Sequence, residues 1–409
     1  MFNRKKFFAC IVVFAMIIAS FIAISQINLY NIFSNEYKVI TIKTQEIRSL
    51  HEKSIPPLEV SFKNNVFIKI FRKNGEVETY FEKDDPWVLN LPKLIMNVLL
   101  GGYYGGTASS FTFEDGTTGT IIDTESWGTN PTLYIGIGNG TAAFSITDYK
   151  LSNKITLISV PSTAVALSDN GTCYNLNATA SYTASTYTNI TETGLFIIVD
   201  KAGTTTIVTN TYLMLARNKL QSNITLNAGD TISIAYVFYF PYGKPFTKQF
   251  FGLMLNYFFG LKAYGIAISF TTTDGTSTSN DDMGSDYSYG DYVKEFLYLV
   301  LGNAPTIWNY TAYKLKTQIA ISPSSTPFTF SYNSTHAILK NPATYSFSTS
   351  ATVQEVGFLI KSIDIDAAGA STNINSKDVL IMYFNLTSPI NIPAGGTFKF
   401  NCTIYIRLV

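Results

Sequence analysis

The sequence predicts an all-β fold: two tandem, homologous β-sandwiches of jelly-roll type, each opened by a short buried helix. Both stand behind an N-terminal transmembrane helix and a stalk. Three observations predict this. Aromatic residues make up 14% of the chain, with 26 Tyr and 30 Phe, while charged residues reach only 14%, a balance that favours strands and turns over helices. Runs such as "TLYIGIG", "KITLISV", "GLFIIVD" and "TISIAYVFYF" are β-branched and aromatic, and Asp-Gly or Asn-Gly turns separate them. Finally, the chain repeats itself. "ASSFTFEDGT" (Ala108 to Thr117) returns as "AISFTTTDGT" (Ala267 to Thr276).

Taken in order, residues 1–30 read as a transmembrane anchor or signal segment. Arg4, Lys5 and Lys6 precede Phe7 to Ser25, 19 uncharged residues, and no charge follows until Glu36. That length spans a bilayer, and the basic flank puts the bulk of the chain outside. The competing reading is a cleaved signal peptide with small residues at Ala23-Ile24-Ser25. Both readings export the remainder to a virion or cell surface, and the uncleaved segment keeps it membrane-anchored with the bulk outside.

Residues 31–83 read as a charged stalk with a β-hairpin. From Glu36 to Lys93 there are ten Lys/Arg and nine Asp/Glu; from Leu94 to the end, 316 residues carry only 35. A short helix near Thr44 to Lys53 fits the stalk, and "VFIKIFRKNGEVETYF" (Val66 to Phe81) is a hairpin around Asn74-Gly75. Net charge is +1, which gives no reason to expect nucleic acid.

The repeat covers 84–240 and 241–409. At an offset of 159, Pro86, Leu94, Asn97 and Gly101 fall on Pro245, Leu253, Asn256 and Gly260. At 164, "LYIGIGN" meets "LYLVLGN"; at 163, "ETGLF" meets "EVGFL"; at 166, "ITLNAGDTI" meets "INIPAGGTF". Each copy opens on an apolar run, "LPKLIMNVLLGG" or "FFGLMLNYFFG", which suits a buried helix and is too short to cross a membrane. "TISIAYVFYF", before the second copy, takes the place of the hairpin before the first. It therefore reads as an entering strand of the second module.

Three marks, a Tyr-x-Gly-x-Gly strand (Tyr134 to Gly138), a Glu-x-Gly-Leu-Phe strand (Glu192 to Phe196) and a closing strand (Leu226 to Tyr236), together resemble β-sandwich modules of archaeal-virus and phage surface proteins. The anchored tandem layout is similar to their turret or spike components. The second copy departs from the marks, with Val300 for the first Gly and Gly396 for Asp230. The resemblance implies a building or attachment part and not an enzyme, with homo-oligomeric or other structural partners and a host receptor or glycan. A cellular adhesin or pilus subunit is the alternative, in which an early strand from 36–70 completes a neighbour's sheet. An exported polysaccharide-active enzyme is the remote one.

Catalytic vocabulary is sparse. The two histidines, His51 in the stalk and His336 in a Ser/Thr-rich loop, adjoin no nucleophile motif. "GIGNG" (Gly136 to Gly140) reads as a turn, since no helix with Lys-Ser/Thr follows it. Glu192 and Glu355 recur at equivalent positions, one per module, and read as structural carboxylates rather than as a glycosidase pair. Cys173 and Cys402 leave a disulfide open.

The loop "DGTSTSNDDMGSDYSYGD" offers Asp281, Asp282 and Asp286 as hard ligands for Ca²⁺, although its spacing matches no calcium loop. Its Tyr287, Tyr289 and Tyr292 equally suit a recognition tip. A solvated loop is the simpler reading. N-glycosylation sequons stand at Asn139, Asn170, Asn177, Asn189, Asn223, Asn309, Asn333, Asn385 and Asn401.

Overall fold

The computed structural model describes residues 50–54, 58–83, 86–99, 110–123, 132–202, 207–259, 261–266, 268–278, 297–304, 308–323, 328–363 and 377–409. They lie in one compact unit, Arg48–Val409, and the class is all-β. The chain opens with β1 (Leu50–Ser54), β2 (Leu58–Ser61), β3 (Lys63–Phe71), β4 (Val77–Glu82) and helix α1 (Asn90–Leu99). There follow β5 (Phe111–Thr112), β6 (Thr118–Gly119), β7 (Ile121–Asp123), β8 (Leu133–Gly138), β9 (Lys154–Ser159) and β10 (Val165–Asp169). The first half closes with β11 (Cys173–Thr183), β12 (Thr188–Ala202), β13 (Ile207–Leu226) and β14 (Thr231–Pro241). Helix α2 (Lys248–Phe259) leads to β15 (Phe270–Thr271), β16 (Ser277–Thr278), β17 (Leu297–Gly302), β18 (Gln318–Pro323) and β19 (Thr329–Tyr332). The last strands are β20 (His336–Ser346), β21 (Ala351–Ile363), β22 (Lys377–Ile392) and β23 (Thr397–Arg407).

Four main sheets result. Sheet I runs β10-β11-β14-β3-β4, and sheet II runs β13-β12-β8-β9 with β7 also on β12. Sheet III runs β1-β23-β20-β19 with β2 also on β23, and sheet IV runs β18-β17-β21-β22. β5–β6 and β15–β16 are small hairpins.

The second half mirrors the first: β19-β20-β23 follows β10-β11-β14, and β22-β21-β17-β18 follows β13-β12-β8-β9. Backbone hydrogen bonds repeat with the sequence offsets. Val88 N donates to Leu215 O and Thr247 N to Ile381 O; Asn139 N donates to Asn153 O and Asn303 N to Thr317 O.

Strict alternation builds the cores. β14 and β23 bury every second residue, as a sheet with one face inward must. Thr193 and Tyr236 hydroxyls bond across sheets II and I at 2.9 Å, and Phe384 meets Phe400 across sheets IV and III at 5.1 Å between ring centroids. Sheet II is covered outside as well, by a cluster of Val88, Leu151, Phe196 and Met214. α1 and α2 bury Leu91, Leu94 and Ile95, and Phe250, Phe251 and Leu255. Both are the short buried helices read from the two apolar runs.

Several readings need correction. Consecutive strands β8–β9, β10–β11 and β12–β13 pair as hairpins within one sheet, whereas a jelly roll passes most consecutive strands between its sheets. The connectivity is not a jelly roll. Nor does β14 enter the second half: it pairs with β11 and β3 in sheet I and is the counterpart of β23.

The stalk reading fails over residues 50–61. In place of a helix, β1 and β2 lie parallel on β23, Leu50 opposite Thr397 and Ser61 opposite Arg407. One residue, Phe62, then separates β2 from β3, which pairs in sheet I. The N-terminal segment thus stitches both halves. Trp87 secures it, donating Nε1–H to Phe62 O at 2.7 Å and its backbone N–H to Leu408 O at 2.9 Å. The hairpin β3–β4 is as expected, with Gly75 at φ 90° in its turn. Phe7 to Ser25 lies outside the described residues. Among those described, no helix is long and apolar enough to cross a membrane.

Candidate functional site

The recurrent carboxylates are the natural place to look for chemistry. β12 carries Glu192 opposite Gly138 on β8 and Lys219 on β13, and the side chain is fully buried. Its Oε1 accepts from Gly140 N at 3.1 Å, Asn153 N at 2.9 Å and Ser152 Oγ at 3.3 Å. Its Oε2 accepts from Ser152 N at 3.1 Å and Arg217 Nε at 2.8 Å. Arg217, itself buried, bonds onward to Asp148 Oδ2 at 2.6 Å and to the carbonyls of Ala142 and Ala143.

Burial pushes the Glu192 pKa up. The N–H of Asn153, Arg217 and the N–H of Ser152 outweigh it and hold the carboxyl below its ordinary value. Burial likewise works against the Arg217 charge, but Asp148 and Glu192 raise its pKa overall. Such a carboxylate is committed as an acceptor. It staples the 140–153 loop to sheet II.

This explains "GIGNG". A Cβ on Gly138 would stand 2.7 Å from both Asn153 O and Glu192 Oε1, and one on Gly140 would overlap Ser152 Oγ. The glycines make room for a carboxylate within the protein, not for a phosphate. In the second half Gly302 faces Glu355 in the same way, and Tyr383 takes the place of Arg217. Its hydroxyl donates to Glu355 Oε1 at 3.0 Å. Val300 replaces Gly136 there, and Leu359 replaces Phe196, whose ring would lie 2.7 Å from a Cβ on Gly136. Volume moves from one strand to its neighbour.

Other expected site residues are scattered. Asp281, Asp282, Asp286, Tyr287, Tyr289 and Tyr292 lie outside the described residues. Among those described, no cluster of His, Cys, Asp and Glu could hold a metal. His336 opens β20 rather than lying in a loop, with Nδ1 2.7 Å from Thr335 Oγ1 and Nε2 3.6 Å from Glu59. His51 is in β1. Cys173 and Cys402 are free thiols.

Of the sequon asparagines, Asn139, Asn170, Asn177, Asn223, Asn309 and Asn333 are exposed, and Asn189, Asn385 and Asn401 half-buried. Asn170, Asn309 and Asn333 each accept from both the N–H and the hydroxyl of the Thr two residues on. Such Asx turns alone account for an Asn-x-Thr pattern.

One surface feature escaped the sequence reading. The outward face of β3–β4 exposes Phe67 (37%), Phe71 (44%), Val77 (57%) and Phe81 (50%). Phe67 and Phe81 are cross-strand partners with ring centroids 4.6 Å apart, and Phe71 pairs with Val77. β4 ends sheet I, so its outer edge is unpaired among the described residues.

No family model matches the chain, and no curated protein matches it. Among solved structures, 2'-deoxycytidine 5'-triphosphate deaminase from Agrobacterium tumefaciens aligns over 79% of this chain and 96% of its own. The identity is 9% and the TM-score 0.10, too slight a likeness to carry an argument.

Proposed function

We propose that the chain is a non-enzymatic surface structural protein, a virion spike or turret component. In this reading, residues 1–30 anchor it in a membrane, and two tandem β-sandwich modules are held outside, 84–240 completed by β3 and β4 and 241–409 completed by β1 and β2. It works by assembly with copies of itself or other structural proteins, and by attachment to a host receptor or glycan. The observation that carries the reading is the β3–β4 face. Phe67, Phe71, Val77 and Phe81 are all solvent-exposed beside an open sheet edge, and soluble monomers seldom leave such a combination uncovered.

The alternative of a cellular adhesin or pilus subunit draws on β1 and β2. They complete sheet III by strand addition, but in their own chain. The polysaccharide-active enzyme is the weakest reading, because Glu192 is enclosed by donors and paired with Arg217. An antibody against residues 84–409, used for gold labelling, separates the first two. Label on purified particles and none on uninfected cells supports the virion reading; label on uninfected envelopes or filaments overturns it in favour of adhesion.

A further inference from the structure

The chain crosses from sheet III to sheet IV between β20 and β21, and a cleft of about 680 Å³ opens there, within the usual range for small-ligand sites. Its apolar part is the half-buried Ile319 and Ala351 and the exposed Pro393, floored by the buried Phe347 and Ile392. Around it stand Asn303, Thr349, Ser350, Thr352 and Asn391, and no lining residue carries a charge. Thr352 Oγ1 donates to Asn391 Oδ1 at 2.8 Å, which fixes the amide and leaves its N–H donors facing elsewhere. The side chains of Asn303, Thr349 and Ser350 have no hydrogen-bond partner among the described residues.

The first half keeps only part of this set. Asn303 corresponds to Asn139, and the Thr352–Asn391 pair to Asn189 and Thr225 with the two residue types exchanged, whereas Phe347 and Ser350 correspond to Ala184 and Tyr187; Asn139 and Asn189 are sequon positions. In the second half Asn303 and Asn391 are each followed two residues on by Pro, so neither is a glycosylation site. Their amides stay available to a ligand.

We propose that this cleft binds a neutral glycan. A hexose unit presents C–H groups on its faces and hydroxyls, each both donor and acceptor, around its rim. The cleft matches that with an apolar part bordered by amides and hydroxyls. An anionic ligand finds no counter-charge here, and a plain hydrocarbon would leave the amides unpaired. The inference rests on the attachment reading above and gives it a ligand class.

The test uses the full chain, produced without glycosylation and held in a detergent that has no sugar headgroup. Maltose and cellobiose are titrated by NMR or calorimetry beside sialyllactose as an anionic comparator. The expected result is saturable binding of a neutral disaccharide at concentrations on the order of millimolar. Asn303→Ala should weaken it about 10-fold, for loss of one hydrogen bond to the ligand, with the melting temperature unchanged. Thr349→Ala, at an exposed turn, gives a second variant that spares the fold. No saturation by either neutral sugar, equal affinity in all variants, or tighter binding of sialyllactose would each overturn the proposal. Gold labelling of particles does not depend on the cleft, so failure here leaves the surface-protein reading standing.

Discussion

At the scale of single residues, the buried ionic network of Glu192, Arg217 and Asp148 has consequences for stability. Glu192 and Arg217 meet at 2.7 Å with both side chains out of solvent. Removing one partner leaves the other charge buried. Glu192→Ala should therefore cost about 3–5 kcal/mol, read as a shift in the denaturant midpoint. A change below about 1 kcal/mol would mean the network is not closed in solution. Acid should act on the same group and on Asp230. The N–H of Asn227, Arg72 and the N–H of Lys73 hold the Asp230 carboxyl at about 2, and Glu192 also titrates below its ordinary value. Carboxyls depressed in the folded state add stability that is complete above the ordinary carboxylate pKa and lost as pH falls through the folded one. Chemical denaturation across pH 5 to 2 should show stability roughly level at first, then falling from about pH 4 downward. Stability that rose over that range would contradict the assignment.

Among the elements, the N-terminal strands are decisive, because sheet III is completed by residues that lie more than 300 positions before their partner. Val60 and Phe62 are buried in the shared core. Val60→Asp should loosen sheet III before sheet I, so hydrogen exchange should rise first in β20 and β23 while β11 and β14 stay protected. Uniform loss of protection would show that the halves open as one. The two helices, the β3–β4 hairpin and most repeated strands were legible in the sequence, since each declares itself through local periodicity or a turn. β1 was not. "LHEKS" has three ionisable side chains in five residues, and only its partner on β23 makes it a strand. Arg217 was hidden for another reason. Its counterpart is Tyr383, so comparing the copies preserved the carboxylates and erased the cation. The glycines of "GIGNG" were conspicuous, but their cause lay some fifty residues on, at Glu192.

For the whole molecule, the open edge of sheet I decides how copies would meet. Large apolar side chains stand on both faces of this hairpin, so the sequence could not tell which one the core takes; Val66, Ile68 and Ile70 face inward, and Phe67, Phe71, Val77 and Phe81 remain outside. Consider two β4 strands pairing antiparallel about a two-fold at Thr79. Val77 then stands opposite Phe81 of the second copy and Glu78 opposite Tyr80, joining two sheets into one. Moving the centre to Tyr80 sets Glu78 against Glu82 within the strands and takes Val77 off Phe81, and moving it to Glu78 sets that carboxylate against itself, so side-chain pairing favours Thr79. Even there Glu76 meets Glu82 at each end, a like-charge contact that salt screens. Association should therefore tighten as salt is raised, opposite to an interface held by ion pairs. Sedimentation of the full chain over a concentration series would measure it. Phe81→Ser should weaken self-association at least about 10-fold, and Phe67→Ser, its ring partner, should act in the same direction. A chain that stays monomeric at all salts, or one whose association ignores both substitutions, would remove this edge from the assembly.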